Sequence, residues 1–292
     1  MHPQIIAPRR VTCFALAAII ALSLVAPVAP VAFGDERVAD GIRTFQGVIA
    51  QGVVAHDGMV VAQEALAARI GADILAKGGN AVDAAVAVGF ALAVSYPRAG
   101  NIGGGGFMVI HLANGTDTTI DYRETAPRGI NAKSFLDDSG NADPRKSRES
   151  ALAIGVPGTV AGLALAEQKY GSGKFSLAEL IAPAIVLARD GIAVSDDTAD
   201  SLPNVLARLS RWPASAKIFL KVDGSVLGLG DRLLQQDLAD SLQAIARDGP
   251  RAFYEGPIAE KIAAAVASAG GVMTADDLKD YRAIERMPMR GA

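Results

Sequence analysis

The sequence predicts an α+β protein in which helices outnumber strands, and three observations carry that expectation. Residues 81–94 are apolar nearly all round, which marks a helix buried between layers. Phe107 to Leu112 and Thr116 to Arg123 flank Asn114-Gly115, a two-residue signature of a β-hairpin. From residue 157 onward, apolar residues recur at helical spacing behind good capping residues. The chain has 292 residues, half of them hydrophobic, which is ample material for a core.

At the N-terminus, Arg9-Arg10 precede an apolar run from Cys13 to Val25, and small residues and prolines continue to Gly34 before charge begins at Asp35. That pattern predicts a secretory signal over residues 1–34, cleaved near Ala32 or Gly34, with residues 35–292 as the mature region in the periplasm or outside the cell. The apolar run is about a dozen residues, short of the roughly 20 that span a bilayer, so a membrane anchor is the weaker reading. Val11-Thr12 continue a twin-arginine pattern poorly, which favours the ordinary export route. Without Arg9 and Arg10 the chain holds 26 basic residues against 31 acidic ones, a net charge of −5. It has no basic block, which excludes a nucleic-acid footprint. Cys13 is the single cysteine and lies in the signal, so no disulfide framework is expected. His2, His56 and His111 lie far apart and offer no metal-ligand spacing, and no cofactor is implied.

Residues 35–57 read as a lead-in loop, and Gly58 to Ala62 as a short buried strand. Leu66, Ile70 and Ile74 repeat every four residues and predict a helix that Gly78-Gly79 stops. Asn80 is placed to cap the buried helix, with Asp83 in its first turn and Pro97 beyond its end. Pro157-Gly158-Thr159 begins a helix to about Tyr170. Ser176 and Glu179 form a capping box for another, which runs to Arg189 or Asp190 before Gly191. Ser195-Asp196-Asp197 opens a helix that reaches Arg211 and ends at Trp212-Pro213. Leu233 to Ala246 and Pro257 to Ala269 follow with helical spacing, Thr274 and Asp277 cap a short last helix, and Ile284 to Met289 begins a strand.

The chemistry gathers at Gly103 to Gly106 and Arg123. Four successive glycines allow positive φ and close approach of other groups to the main chain. An arginine fork suits a carboxylate in a way a lysine cannot. If Asn114 and Gly115 are the whole loop, Ala113 faces Thr116 and Gly106 lies across from Arg123. On the return strand Thr119, Asp121 and Arg123 share the face expected to look toward the site, while Thr118, Ile120 and Tyr122 share the other. The structural alternative is that Arg123 simply neutralises Asp121 or Glu124. The glycines lead from a helix into a strand and lack the phosphate-loop endings. Asp137-Asp138 and Asp196-Asp197 read as solvated loop or helix-start acids. None of the histidines sits beside a convincing nucleophile, and His111 reads as structural.

Three longer stretches carry a family resemblance: Gly78 to Ala87, Pro97 to Met108, and Asp121 to Pro127. With Val156 to Gly162 and Phe253-Tyr254, they resemble the gamma-glutamyltransferases, or glutathione hydrolases, from about Gly58 to Arg286. The resemblance implies an N-terminal nucleophile hydrolase fold, an αββα four-layer sandwich made as a precursor that cleaves itself into large and small subunits. It implies hydrolysis of the γ-glutamyl amide of glutathione, with transfer of the glutamyl group to water or an amino-acid acceptor. It matches Arg123 to the family arginine that binds the α-carboxylate of the γ-glutamyl group, in accord with the anion-site reading.

The family nucleophile, a threonine in a Thr-Thr-His context at the head of the small subunit, has no counterpart here. The single Thr-Thr pair, Thr118-Thr119, lies inside the hairpin. The expectation is therefore an incomplete sandwich, a truncated product or fragment of the large-subunit region that is inactive alone, its partners being γ-glutamyl compounds and the absent small subunit. A cephalosporin or polyglutamate acylase, and a non-catalytic remnant or glutamate-binding module, are the alternatives.

Overall fold

Residues 54–291 are described by the computed structural model; the expected signal over residues 1–34 and most of the lead-in loop lie outside them. Helices α1 (Ala65–Ala76) and α2 (Ala81–Ser95) come first, followed by strands β1 (Phe107–His111) and β2 (Asp117–Asp121). Then come α3 (Pro144–Glu149), α4 (Thr159–Tyr170), α5 (Leu177–Asp190) and a short strand β3 (Ile192–Ala193). The last part contains α6 (Asp196–Ser201), α7 (Leu206–Leu209), α8 (Pro213–Phe219), β4 (Arg232–Leu233) and α9 (Gln236–Asp248). It closes with α10 (Arg251–Tyr254), α11 (Pro257–Ser268), α12 (Ala275–Lys279) and β5 (Ile284–Arg286).

Helix α2 is the centre of the packing, as its all-round apolar sequence requires. It lies against α1, α4 and α5, and α5 in turn packs on α9. Val86, Phe90, Ala91 and Val94 are completely enclosed. The N-terminus is tied down by the expected cap: Asn80 Oδ1 accepts from the Val82 and Asp83 amides, both at 2.9 Å, and Asp83 Oδ2 accepts from the Asn80 amide at 2.8 Å. Asp83 is fully buried. Its two oxygens also accept from the Ser172 amide at 3.2 Å, while Asn80 Nδ2 donates to the Tyr170 carbonyl at 2.7 Å. One carboxylate thus joins the start of α2 to the end of α4. Burial, with the Asp83 charge adding to it, raises the nearby Glu167 carboxyl above its usual range.

Strands β1, β2 and β5 form an antiparallel sheet with β2 in the middle, and β3 pairs with β4 in a separate ribbon. Thr118 and Ile120 turn one face of the sheet into the core, where α4 packs against β2. Phe107 and Val109 lie exposed, so β1 is buried on one face only, through Ile110, rather than throughout.

Further local expectations are corrected. The Gly58 to Ala62 run forms no strand; Met59 and Val61 are exposed, and only Val60 and Ala62 reach the core. Among the described residues no strand pairs with this run, so its apolar sequence alone does not make a ladder. The hairpin register is shifted by one residue: Phe107 faces Asp121, and His111 faces Asp117. The loop is Ala113-Asn114-Gly115, closed by Gly115 N–H to Leu112 O at 2.8 Å and Leu112 N–H to Thr116 O at 2.9 Å. Gly115 takes φ 82°, the left-handed residue of a three-residue turn with a bulge, where glycine alone is free of strain. The long helix expected after Ser195 is broken into α6, a 3-10 turn containing Pro203, and α7, because a proline cannot donate the helical bond. Pro213 then starts α8 instead of closing a helix, since a first-turn residue needs no amide hydrogen, and α9 begins at Gln236 with Leu233 held in β4.

Candidate functional site

The glycine run and the arginine segment do meet, one residue out of the expected register. Gly106 pairs with Tyr122, donating to its carbonyl at 3.3 Å and accepting from its amide at 2.9 Å. None of Gly103 to Gly106 uses positive φ. Their purpose is proximity: a Cβ on Gly105 would stand 2.4 Å from Tyr122 O and 2.8 Å from Glu124 N. The main chain on both sides of Arg123 therefore runs against bare backbone.

Further contacts hold the same segment. Gly104 O accepts from the Gly158 and Thr159 amides, at 2.7 and 3.0 Å, at the start of α4. A Cβ on Gly158 would fall 2.0 Å from Tyr122 O and 2.1 Å from Tyr281 Oη, so that position also excludes any side chain. Tyr281 Oη donates to the Arg123 carbonyl at 2.8 Å. Thr125 and Val156 exchange backbone bonds of 3.2 and 2.7 Å just beyond. Val156, Gly158 and Tyr281, from two separate parts of the chain, thus lie against the main chain between Tyr122 and Thr125.

The side chain of Arg123 is free in a way its backbone is not. It is 67% exposed, with Nε 3.1 Å from Glu124 Oε2. An exposed pair of this kind contributes only about 0–1 kcal/mol, so a carboxylate ligand can compete for the fork. Asp121, the other acid considered as a partner, is engaged elsewhere: Oδ2 meets Arg286 Nε at 2.7 Å and Oδ1 accepts from the Arg123 amide at 3.1 Å. The Arg286 bond, followed by that amide, holds the Asp121 carboxyl below its ordinary range. Gly103 and Gly155 also border an apolar groove of about 290 Å³ lined by Ile102, Pro157, Phe253 and Met273.

The other acids and histidines stay apart from this corner. Asp196 and Asp197 sit in the first turn of α6, and Asp137 caps a turn through the Ser139 and Asn141 amides. His56 is exposed, and His111 is exposed beside Asp117, Nδ1 to Oδ1 at 2.5 Å. Among the described residues no helix is long and apolar enough to cross a membrane. Sequence reasoning missed Tyr281 and the role of Gly158. Gly158 was legible as part of a helix start, whereas Tyr281 carried no local signal.

Fold and corner together define a class: an α+β protein that presents an open arginine from a fixed backbone beside a glycine run. The chain belongs to the gamma-glutamyltranspeptidase family, whose sequence model matches residues 67–292. It is 46% identical over 281 residues to the glutathione hydrolase proenzyme of Escherichia coli (strain K12), covering 96% of this chain and 45% of that relative. The chain thus spans about half the length of the curated relatives it matches. The crystal structure of Helicobacter pylori gamma-glutamyltranspeptidase superposes with a TM-score of 0.80 at 43% identity, covering 83% of this chain and 69% of that one. Cephalosporin acylase from Bacillus halodurans gives a TM-score of 0.73 at 28% identity over 85% of this chain and 46% of its own. The α+β, N-terminal nucleophile hydrolase type of fold expected from the sequence is the fold of these neighbours.

Proposed function

We propose that this chain supplies the substrate-holding part of an exported gamma-glutamyltransferase, also a glutathione hydrolase. Arg123 receives the α-carboxylate of the γ-glutamyl donor in bidentate fashion, displacing or sharing Glu124. The observation that carries this reading is the contrast at Arg123 itself, an exposed guanidinium on a main chain pinned by Gly105 and Tyr281. A small subunit contributes the threonine that attacks the γ-glutamyl carbonyl, with its own α-amino group as base. The acyl group then passes to water or to an amino-acid acceptor. The residues described here bind and orient; they do not break the bond. The likeness to cephalosporin acylase supports a second reading, in which the same corner holds the carboxylate of a different acyl donor.

The test is a chimaera in which the complete chain replaces the matched segment of the Escherichia coli relative, compared with the 292-residue chain alone. The chimaera is expected to hydrolyse glutathione, and the isolated chain is expected not to. Hydrolysis by the isolated chain, or a self-processed chimaera that prefers cephalosporin side chains to γ-glutamyl donors, contradicts the proposal.

A further inference from the structure

Tyr281 lies 158 residues from Arg123 in sequence, and its Oη donates to the Arg123 carbonyl at 2.8 Å. The residue is buried, and its ring lies parallel to that of Tyr254, centroids 5.7 Å apart and planes at 8°. Tyr254 is itself fixed at its hydroxyl, which donates to Pro157 O at 3.0 Å and accepts from the Ala161 amide at 3.2 Å. Both partners belong to the turn that opens α4, where the Gly158 amide binds Gly104 O. A closed circuit results: glycine run, start of α4, Tyr254, Tyr281, Arg123 carbonyl, and back to the glycine run across the strand pair.

This circuit does more than the core requires. Tyr281 could be held equally well by packing if it were a phenylalanine; the hydroxyl adds a fixed direction for the one peptide group that carries the arginine. A fork that must meet two carboxylate oxygens depends on that direction, because a misplacement of about 1 Å at a binding group can cost about a hundredfold in rate. The phenol is a donor at neutral pH at its ordinary pKa of 10.0, and burial extends that range to more alkaline pH by pushing the pKa up to about 12.

We infer that Tyr281, braced by Tyr254, is a positioning residue that sets the orientation of Arg123 for the α-carboxylate of the acyl donor. The inference rests on the carboxylate reading of Arg123 given above, and the test separates the two. In the chimaera, kcat/KM is measured for a γ-glutamyl anilide and for the 4-aminobutyryl anilide that differs only in lacking the α-carboxylate. The ratio of the two values does not depend on how much of the enzyme is folded.

Tyr281→Phe retains the ring and removes only the hydroxyl. It is expected to lower the ratio about tenfold, the effect of one lost hydrogen bond, through the KM of the γ-glutamyl donor and with kcat within about twofold. Arg123→Lys lowers the ratio as well, and the double variant falls short of the product of the two effects because both act on one contact. A lowered ratio in Arg123→Lys with an unchanged ratio in Tyr281→Phe overturns the positioning role and leaves the carboxylate site standing. An unchanged ratio in both overturns both. If Tyr281→Phe yields no folded enzyme, Tyr254→Phe decides: a lowered ratio supports the inference, and an unchanged one overturns it.

Discussion

Helix α2 and the Arg123 corner are both built around a charged residue, and they treat it in opposite ways. At α2 the carboxylate of Asp83 is fully enclosed and every contact it makes is internal, to the amides of Asn80 and Ser172. At the corner it is the backbone that is enclosed, by Gly105, Gly158 and Tyr281, while the guanidinium of Arg123 is largely in solvent beside the exposed Glu124. A buried charge satisfied by its own fold contributes architecture. An exposed charge on a fixed main chain keeps its binding capacity for something else.

The comparison can be broken at its architectural end first. Phe90→Ala, which opens a cavity at the enclosed face of α2, is expected to cost about 3–5 kcal/mol. Asp83→Ala, which strands the Asn80 and Ser172 amides, should cost about 3 kcal/mol. Urea unfolding of the isolated chain measures both, and losses under about 1 kcal/mol would mean that α2 is not the packing centre. Gly105→Ala should cost about 1–3 kcal/mol, because its Cβ meets backbone that cannot yield, and it should also raise the KM of the chimaera for γ-glutamyl donors. A stable Gly105→Ala chain with an unchanged KM would separate the glycine run from the site.

Alkaline pH probes the tyrosine brace. The pKa of Tyr281 is raised from its ordinary value of 10.0 to about 12, first by burial and then by Asp121, Glu124 and Tyr122; Tyr254 is raised by burial in the same direction. The folded chain therefore holds these protons more tightly than the unfolded chain. The stabilisation is complete below pH 10 and is lost as the pH climbs toward 12. Tyr281→Phe should flatten that loss, which thermal melts from pH 8 upward would show as a shallower fall in Tm. An equally steep fall would mean that other groups control alkaline unfolding. The smallest expected effect on stability is that of Arg123→Lys, within about 0.5 kcal/mol for an exposed side chain.

How far each region was legible in the sequence follows from how local its interactions are. The α2 cap needed only Asn80 and Asp83, three positions apart, and it was read correctly along with the apolar helix behind it. The faces of β2 were also read correctly, since alternation along one strand needs no partner: Thr118 and Ile120 point inward. The pairing was missed by one residue because Asn-Gly fits both a two-residue turn and a three-residue turn with glycine at its left-handed position. That slip put Arg123 opposite Gly106 in expectation, whereas Gly106 binds Tyr122 and it is Gly105 that crowds the main chain around Arg123. Of the two uses expected of the glycines, positive φ and close approach, only close approach is found, through the missing Cβ. Tyr281 was invisible, because no period or motif links a residue after α12 to a strand so far upstream.

The central claim is that the corner is a carboxylate site made by a rigid backbone and an exposed arginine. Calorimetric titration of the chimaera and its Arg123→Lys variant with L-glutamate and with 4-aminobutyrate, which lacks only the α-carboxylate, tests it most directly. L-glutamate is expected to bind the wild-type chimaera at least about tenfold more tightly than 4-aminobutyrate, and Arg123→Lys to remove most of that preference. Equal binding of the two ligands, or a preference untouched by Arg123→Lys, would contradict the account.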